Sequence, residues 1–198
     1  MISKAKNDRS RGIIRNALGL SHQYVSQIIQ LGDRAVDATA GNGGDTLFLA
    51  ELCGPDGHID AFDIQPAALE QTRKKLAAAD LAERCSLHLA SHDRLSELVK
   101  PGIRAFMFNL GYLPGGDHSI GTQAASTLLA LDQAQELLLP GGIITIGIYY
   151  GGDSGFAERD AVLDYVSQID VHRFAVQKIE MINSTSCAPI FVCIERLS

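Results

Sequence analysis

A chain of 198 residues with 46% hydrophobic and 20% charged side chains can bury one sizeable core, a composition that argues against a disordered chain. Its longest apolar runs, such as GGIITIGIYYGG, are of strand length and fall well short of the roughly 20 residues that a bilayer span requires. The opening MISKAKNDRSRG has no apolar h-region, so the expectation is one cytoplasmic domain over residues 1–198, with neither a membrane nor DNA as partner. The net charge is −6, yet the first fifteen residues form a basic arm, with Lys4, Lys6, Arg9, Arg11 and Arg15 set against Asp8. Such an arm either meets RNA phosphates or serves solubility. Cys53, Cys85, Cys187 and Cys193 show no C-x-x-C pair and no matching histidine pattern, so no metal site is expected and the thiols read as buried and reduced.

In chain order, ALGLSHQYVSQIIQLGD spaces Leu18, Val25, Ile28, Ile29 and Leu31 as an amphipathic helix leading into a sheet. Apolar RAVDAT then precedes helical DTLFLAELC. GHIDAFDI precedes PAALEQTRKKLAAADL, where Pro66 suits the first helical turn. CSLHLA precedes DRLSELVK, and RAFMFNL precedes TQAASTLLALDQAQELL, with Pro140-Gly141-Gly142 expected to end that helix. IITIGIYY precedes FAERDAVLDYVSQI, and the tail adds two strand-like runs, RFAVQKIEMI and PIFVCIERL. Five strand-then-helix units followed by two strands predict an α/β fold: a seven-stranded, mostly parallel sheet, antiparallel at its end, with helices on both faces. The apolar last strand reads equally as an internal strand or as the edge of a possible homodimer.

In such a sheet, ligands bind beyond the carboxyl ends of the strands, where the loop after the first strand lies. That loop is DATAGNGGDT, Asp37 to Thr46. It is not the dinucleotide fingerprint, because the third glycine would fall at Thr46, and it has no Walker lysine. Gly41 and Gly43 allow close approach of backbone to a ligand, while Asp37 and Asp45 would repel a pyrophosphate and favour a cation, such as a sulfonium with an α-amino group. Asn42 reads as a left-handed turn residue, a contact to the methionine moiety, or both. Asp63 ends the second strand, where it reaches the two hydroxyls of a ribose or caps the helix opened by Pro66; Ile64 would pack on an adenine. FNLGYLPGGDHS, Phe108 to Ser119, ends the fourth strand. There Asn109 and the neighbouring carbonyl can accept from an amine N–H and Tyr112 can form a stacking plate, unless the glycines, proline and asparagine only shape a turn.

These blocks resemble the class I S-adenosylmethionine-dependent methyltransferases, and more narrowly the YtqB/MnmM family, long labelled rRNA methylases. SHQYVSQIIQLGDRAVDATAGNGGDTLFLAEL, with His22 ahead of the first strand, is similar to the family's opening. FDIQ, FNLGYLPGGDHSI and APIFVCIERLS are similar to its later blocks. The resemblance implies a Rossmann-like class I methyltransferase fold, S-adenosylmethionine as cofactor, and N-methylation of the aminomethyl group of a modified wobble uridine in the tRNA anticodon loop. It implies that Asp37, Gly41, Asn42, Gly43, Asp45, Thr46, Asp63, Gln65 and His92 surround the cofactor, and that Asn109, Leu110, Gly111 and Tyr112 face the methyl group. Pro114, Asp117, His118, Tyr149 and Asn183 are expected on the substrate side, His118 as a proton shuttle or a solvated turn residue. The chain departs from the family in two loops: Tyr149-Tyr150-Gly151-Gly152 replaces Y-x-G-H, and Asn183-Ser184-Thr185-Ser186 replaces N-Q-x-N. A small-molecule amine methyltransferase and a non-catalytic nucleoside-binding protein are the rival readings.

Overall fold

The computed structural model describes residues 16–111, 121–151, 155–184 and 186–198. Its elements, in order, are α1 (Ala17–Ile28), β1 (Arg34–Asp37), α2 (Gly44–Cys53), β2 (His58–Asp63), α3 (Pro66–Ala78), β3 (Cys85–Leu89), α4 (Leu95–Leu98), β4 (Ile103–Leu110), α5 (Ala124–Leu137), β5 (Leu138–Ile148), α6 (Gly155–Ser167), β6 (Phe174–Ile179) and β7 (Ile190–Arg196). The strands make one sheet in the order β3-β2-β1-β4-β5-β7-β6. All neighbours from β3 to β5 are parallel, and β7 runs antiparallel to both β5 and β6, so the expected sheet is present.

The central strands are apolar on both sides because helices cover both faces. Ala35, Ile59, Ala105 and Met107 pack with Val25, Leu49, Ala50 and Leu76 of the first three helices. Val36, Phe62, Phe106, Phe108, Ile144 and Ile146 point the other way, against Leu131, Ala134, Val162 and Val166 of α5 and α6. Each such large side chain contributes about 1.5–3 kcal/mol by leaving water. The period of two along β4 then puts Asn109, two beyond Met107, on the α1 and α2 side of the sheet. Fixed alternation thereby aims one polar group at the start of α2.

Local details correct several expectations. Pro66 does open α3, but its N-cap is Gln65, so Asp63 is not the cap. Pro140-Gly141-Gly142 does not follow the helix as a terminator: α5 already stops at Leu137, and these residues lie inside β5, where the register with β4 shifts between Ile103 and Ala105. A proline without an N–H is tolerated at such an irregularity, and the Pro140 carbonyl accepts from Arg104 Nη1 at 3.1 Å. β7 is internal, paired on both edges, which removes it as a dimer edge. Cys53 and Cys193 are buried, Cys85 is half-buried and Cys187 is exposed, the last because it sits in the loop before β7 and not in the sheet. Among the described residues no helix is long and apolar enough to cross a membrane.

Candidate active site

The sheet order changes direction between β1 and β4, and the loops leaving β1, β2, β4 and β5 gather at that carboxyl edge. The β1 loop is braced from below. Asp37 has no exposed surface; its Oδ2 accepts from the Thr46 hydroxyl at 2.6 Å and its Oδ1 from the Thr39 N–H at 3.2 Å. Burial, reinforced by the negative charge of Asp45, pushes the Asp37 carboxyl up to about 7. Asp37 and the equally buried Thr46 are therefore struts under the loop, and burial weakens the negative charge expected from Asp37.

Gly41 and Gly43 both have positive φ, +50° and +72°. At Gly43 the reason is packing: a Cβ would lie 2.7 Å from Thr72 Oγ1 and 2.8 Å from its Cα on α3. Close approach of two protein segments, not of a ligand, demands that glycine. Gly41 donates its N–H to Asp63 Oδ2 at 2.9 Å and accepts from Thr72 Oγ1 at 3.1 Å, while Asn42 stands exposed at the loop tip.

Asp63 thus ties the β1 and β2 loops together, since its Oδ1 also accepts from the Gln65 N–H at 2.8 Å. Each carboxylate oxygen keeps a lone pair for an outside donor, and the residue is only half-buried. Next to it Ile64 is 52% exposed, an apolar plate beside a carboxylate. His92 is largely buried. Its Nδ1 donates to the Ala38 carbonyl at 3.3 Å and its ring meets Phe108 edge-on at 5.9 Å. Burial lowers its pKa, and among the described residues its Nε2 acceptor has no partner.

The start of α2 carries the cluster that spacing alone did not reveal. Asp45 Oδ1 meets His22 Nε2 of α1 at 2.6 Å, and Asp45 Oδ2 accepts from Asn109 Nδ2 of β4, also at 2.6 Å. The His22 ring stacks flat on Phe48, centroids 3.9 Å apart. His22 was visible in the sequence only as part of the family's opening block; no periodicity links it to a carboxylate 23 positions later. The Asn109 N–H donates to Thr39 Oγ1 at 2.8 Å, and its Oδ1 lies over Gly147, where a Cβ would be 3.2 Å away. The Leu110 side chain is buried, and its carbonyl accepts from the Tyr149 N–H at 3.0 Å. Burial and the charge of Asp45 raise the Tyr149 phenol above its ordinary pKa.

Beyond β4, Gly111 and Thr122 are doubly bonded: the Gly111 N–H donates to Thr122 Oγ1 at 2.8 Å and the Thr122 N–H to the Gly111 carbonyl at 2.9 Å. The Thr122 hydroxyl donates to buried Glu158 at 2.6 Å, and the Thr127 hydroxyl to the same carboxylate at 2.8 Å. After β5, the Arg159 guanidinium lies 4.8 Å from the Tyr150 ring and 4.9 Å from that of Phe156, which is 40% exposed. Asn183 is exposed between β6 and β7, at the same edge because Ile148 pairs with Ile190. Tyr112, Pro114, Asp117, His118 and Gly152 lie outside the described residues, as does the basic arm.

A sequence model of the family described as "Putative rRNA methylase" matches residues 59–195. Over 188 residues the chain is 37% identical to tRNA (mnm(5)s(2)U34)-methyltransferase, chloroplastic, of Arabidopsis thaliana, covering 90% of this chain and 68% of that one. It superposes on a crystal structure from Clostridium thermocellum that bears the same family description with a TM-score of 0.92 and 48% identity, covering 93% of this chain and 99% of the other. On a Streptococcus mutans methyltransferase crystallised with SAH the TM-score is 0.86 at 39% identity, with 93% and 100% covered. The donor set fits S-adenosylmethionine: a half-buried carboxylate with free lone pairs suits a diol, the exposed Ile64 suits a flat base, and the unpartnered His92 nitrogen is a spare acceptor. By sequence and by fold, the chain belongs to this rRNA methylase family of S-adenosylmethionine-dependent methyltransferases.

Proposed function

We propose that this enzyme, acting as one domain in the cytoplasm, N-methylates the aminomethyl group of a modified wobble uridine in the tRNA anticodon loop. The observation that carries the reading is the Asn109 carboxamide at the carboxyl end of β4, with its oxygen over Gly147 and its nitrogen engaged by Asp45. A group that accepts from N–H and stands beside the cofactor loops suits an amine acceptor. The extended similarity to the Arabidopsis tRNA methyltransferase supports the choice of substrate.

In this reading Asp63 accepts from the ribose hydroxyls, Ile64 and Gln65 flank the adenine, and Gly41, Asn42 and Gly43 present backbone and amide to the methionine moiety. His92 pins the Ala38 carbonyl and offers its free nitrogen from below. Bound S-adenosylmethionine supplies a methyl group already activated by the sulfonium. The protein's task is alignment and exclusion of water. Asn109 and the second lone pair of the Leu110 carbonyl accept from the incoming neutral amine, Gly111 leaves room for it, and Tyr112 stacks on the uracil ring. An alkylammonium must lose its proton before attack, and an apolar surrounding favours the neutral amine. Pro114, Asp117, His118, Tyr149 and Asn183 border the nucleotide, where Tyr149 extends the aromatic surface.

Two features support RNA over a small amine. The basic arm carries cations of the kind that suit phosphate contacts, and the Tyr150, Phe156 and Arg159 cluster beside β5 offers aromatic faces and a cation of the kind on which single-stranded bases stack. Nucleoside mass spectrometry of tRNA from a strain lacking the gene tests the assignment: 5-aminomethyl-2-thiouridine should accumulate. Radiolabel transfer to small amines, with none to tRNA lacking the terminal wobble methyl, would transfer the assignment to a small-molecule enzyme.

A further inference from the structure

We propose that Asp45, held by His22, is a positioning residue that fixes which end of the Asn109 carboxamide meets the acceptor amine; the inference rests on the role given to Asn109 above. An asparagine amide is almost symmetric in shape, so packing alone does not choose between its oxygen and its nitrogen. Chemistry here does. A carboxylate only accepts hydrogen bonds, so the Asn109 atom 2.6 Å from Asp45 Oδ2 must be the nitrogen, and Oδ1 is turned the other way, over Gly147. The reversed amide would set oxygen against oxygen at that distance and present NH₂ to an incoming amine.

The lock is itself held on every side. Asp45 is 8% exposed and sits in the first turn of α2. Its other oxygen takes the His22 Nε2–H at 2.6 Å, and the His22 ring is stacked on Phe48, three residues after Asp45 and hence on the same helix face. The Asn109 backbone is fixed by Thr39 Oγ1. Three elements, α1, α2 and β4, thus converge to hold one amide in one orientation. The family resemblance implies a cofactor contact for Asp45; its hydrogen bonds to His22 and Asn109 give it a further duty toward the Asn109 amide.

The test is a charge-swap cycle in the full-length protein, assayed with tRNA carrying 5-aminomethyl-2-thiouridine. In Asp45→Asn, His22 still donates to the new carbonyl, which leaves an NH₂ facing residue 109 and turns the Asn109 oxygen inward. In Asn109→Asp, two carboxylates confront each other. Each single variant should lose about 100-fold in kcat, with KM changed less than about 3-fold. The double variant Asp45→Asn with Asn109→Asp restores a donor facing an acceptor and leaves an oxygen toward the amine, so kcat should recover at least about 10-fold over Asp45→Asn. A merely structural role predicts no such rescue; a double variant no better than the singles, or an Asp45→Asn enzyme with normal kcat, overturns the proposal.

A readout independent of activity is the ¹H–¹⁵N signal pair of the Asn109 side-chain amide, identified by its loss in Asn109→Ala. In the wild-type protein one proton should be shifted downfield and slow to exchange with water, and Asp45→Asn should abolish that difference. Two equivalent, rapidly exchanging protons in the wild type overturn the lock even where a variant fails to fold. Wild-type protein that shows the locked signal yet transfers nothing to the tRNA leaves the lock standing and removes the RNA substrate.

Discussion

Asp37 and Asp45, eight positions apart and both buried, have different duties decided by their hydrogen-bond partners. Asp37 lies under the loop with its carboxyl pushed up to about 7, whereas an unfolded chain releases that proton near pH 3.9. The folded state therefore holds the proton more tightly. Its contribution to stability is complete below about pH 4, falls as the pH rises through that window, and levels off above about 7, a loss of up to a few kcal/mol. Asp37→Asn, which keeps an acceptor for Thr39, should flatten the dependence of urea stability on pH between about 4.5 and 7.5. An unchanged slope would mean that the carboxyl is not the titrating group. Asp63→Ala removes an acceptor for the ribose and should weaken S-adenosylmethionine binding about 10-fold or more by calorimetry; an unchanged Kd would take Asp63 out of the site. Asn109→Ala should instead leave that Kd within about 3-fold while slowing single-turnover transfer about 100-fold, and equal losses in both would assign Asn109 to cofactor binding.

Among the elements, the β1 loop and α3 are fitted to each other through Gly43. With φ at +72° and Thr72 under the site of a Cβ, Gly43→Ala adds left-handed strain of about 1–2 kcal/mol and a steric overlap of similar size. Urea unfolding should report a loss of roughly 2–4 kcal/mol with little change in slope. A smaller loss, below about 1 kcal/mol, would show that α3 yields easily. The neighbouring Gly41 has a different duty, since its N–H anchors Asp63. Glycine spacing by itself does not separate a packing requirement from a hydrogen-bonding one, because both appear as the same letter in the chain.

At the scale of the whole molecule, net charge and local charge point in different directions. The chain carries −6 overall, so phosphate contacts must come from local clusters. Removing residues 1–11 deletes Lys4, Lys6, Arg9 and Arg11, and should weaken tRNA binding and make the logarithm of affinity less steep in the logarithm of salt concentration by about 2–3. A truncated protein with the full salt slope would exclude the arm from the interface.

The order of strands and helices, the mostly parallel sheet and its loop-bearing edge were legible in the chain, because strand runs such as AFMF and helix starts such as Pro66 obey local rules of periodicity and backbone geometry. The motif positions of Gly41, Asp63 and Asn109 were legible for the same reason: they follow strand ends, and strand ends define the edge where ligands bind. Tertiary structure alone decided that β7 lies inside the sheet, that Asp37 is a buried strut, and that His22, Asp45 and Asn109 form one hydrogen-bonded set. Those outcomes depend on contacts between segments far apart in sequence, and the burial and pairing that set the charge and orientation of a polar group exist only once helices from different parts of the chain have closed over the sheet.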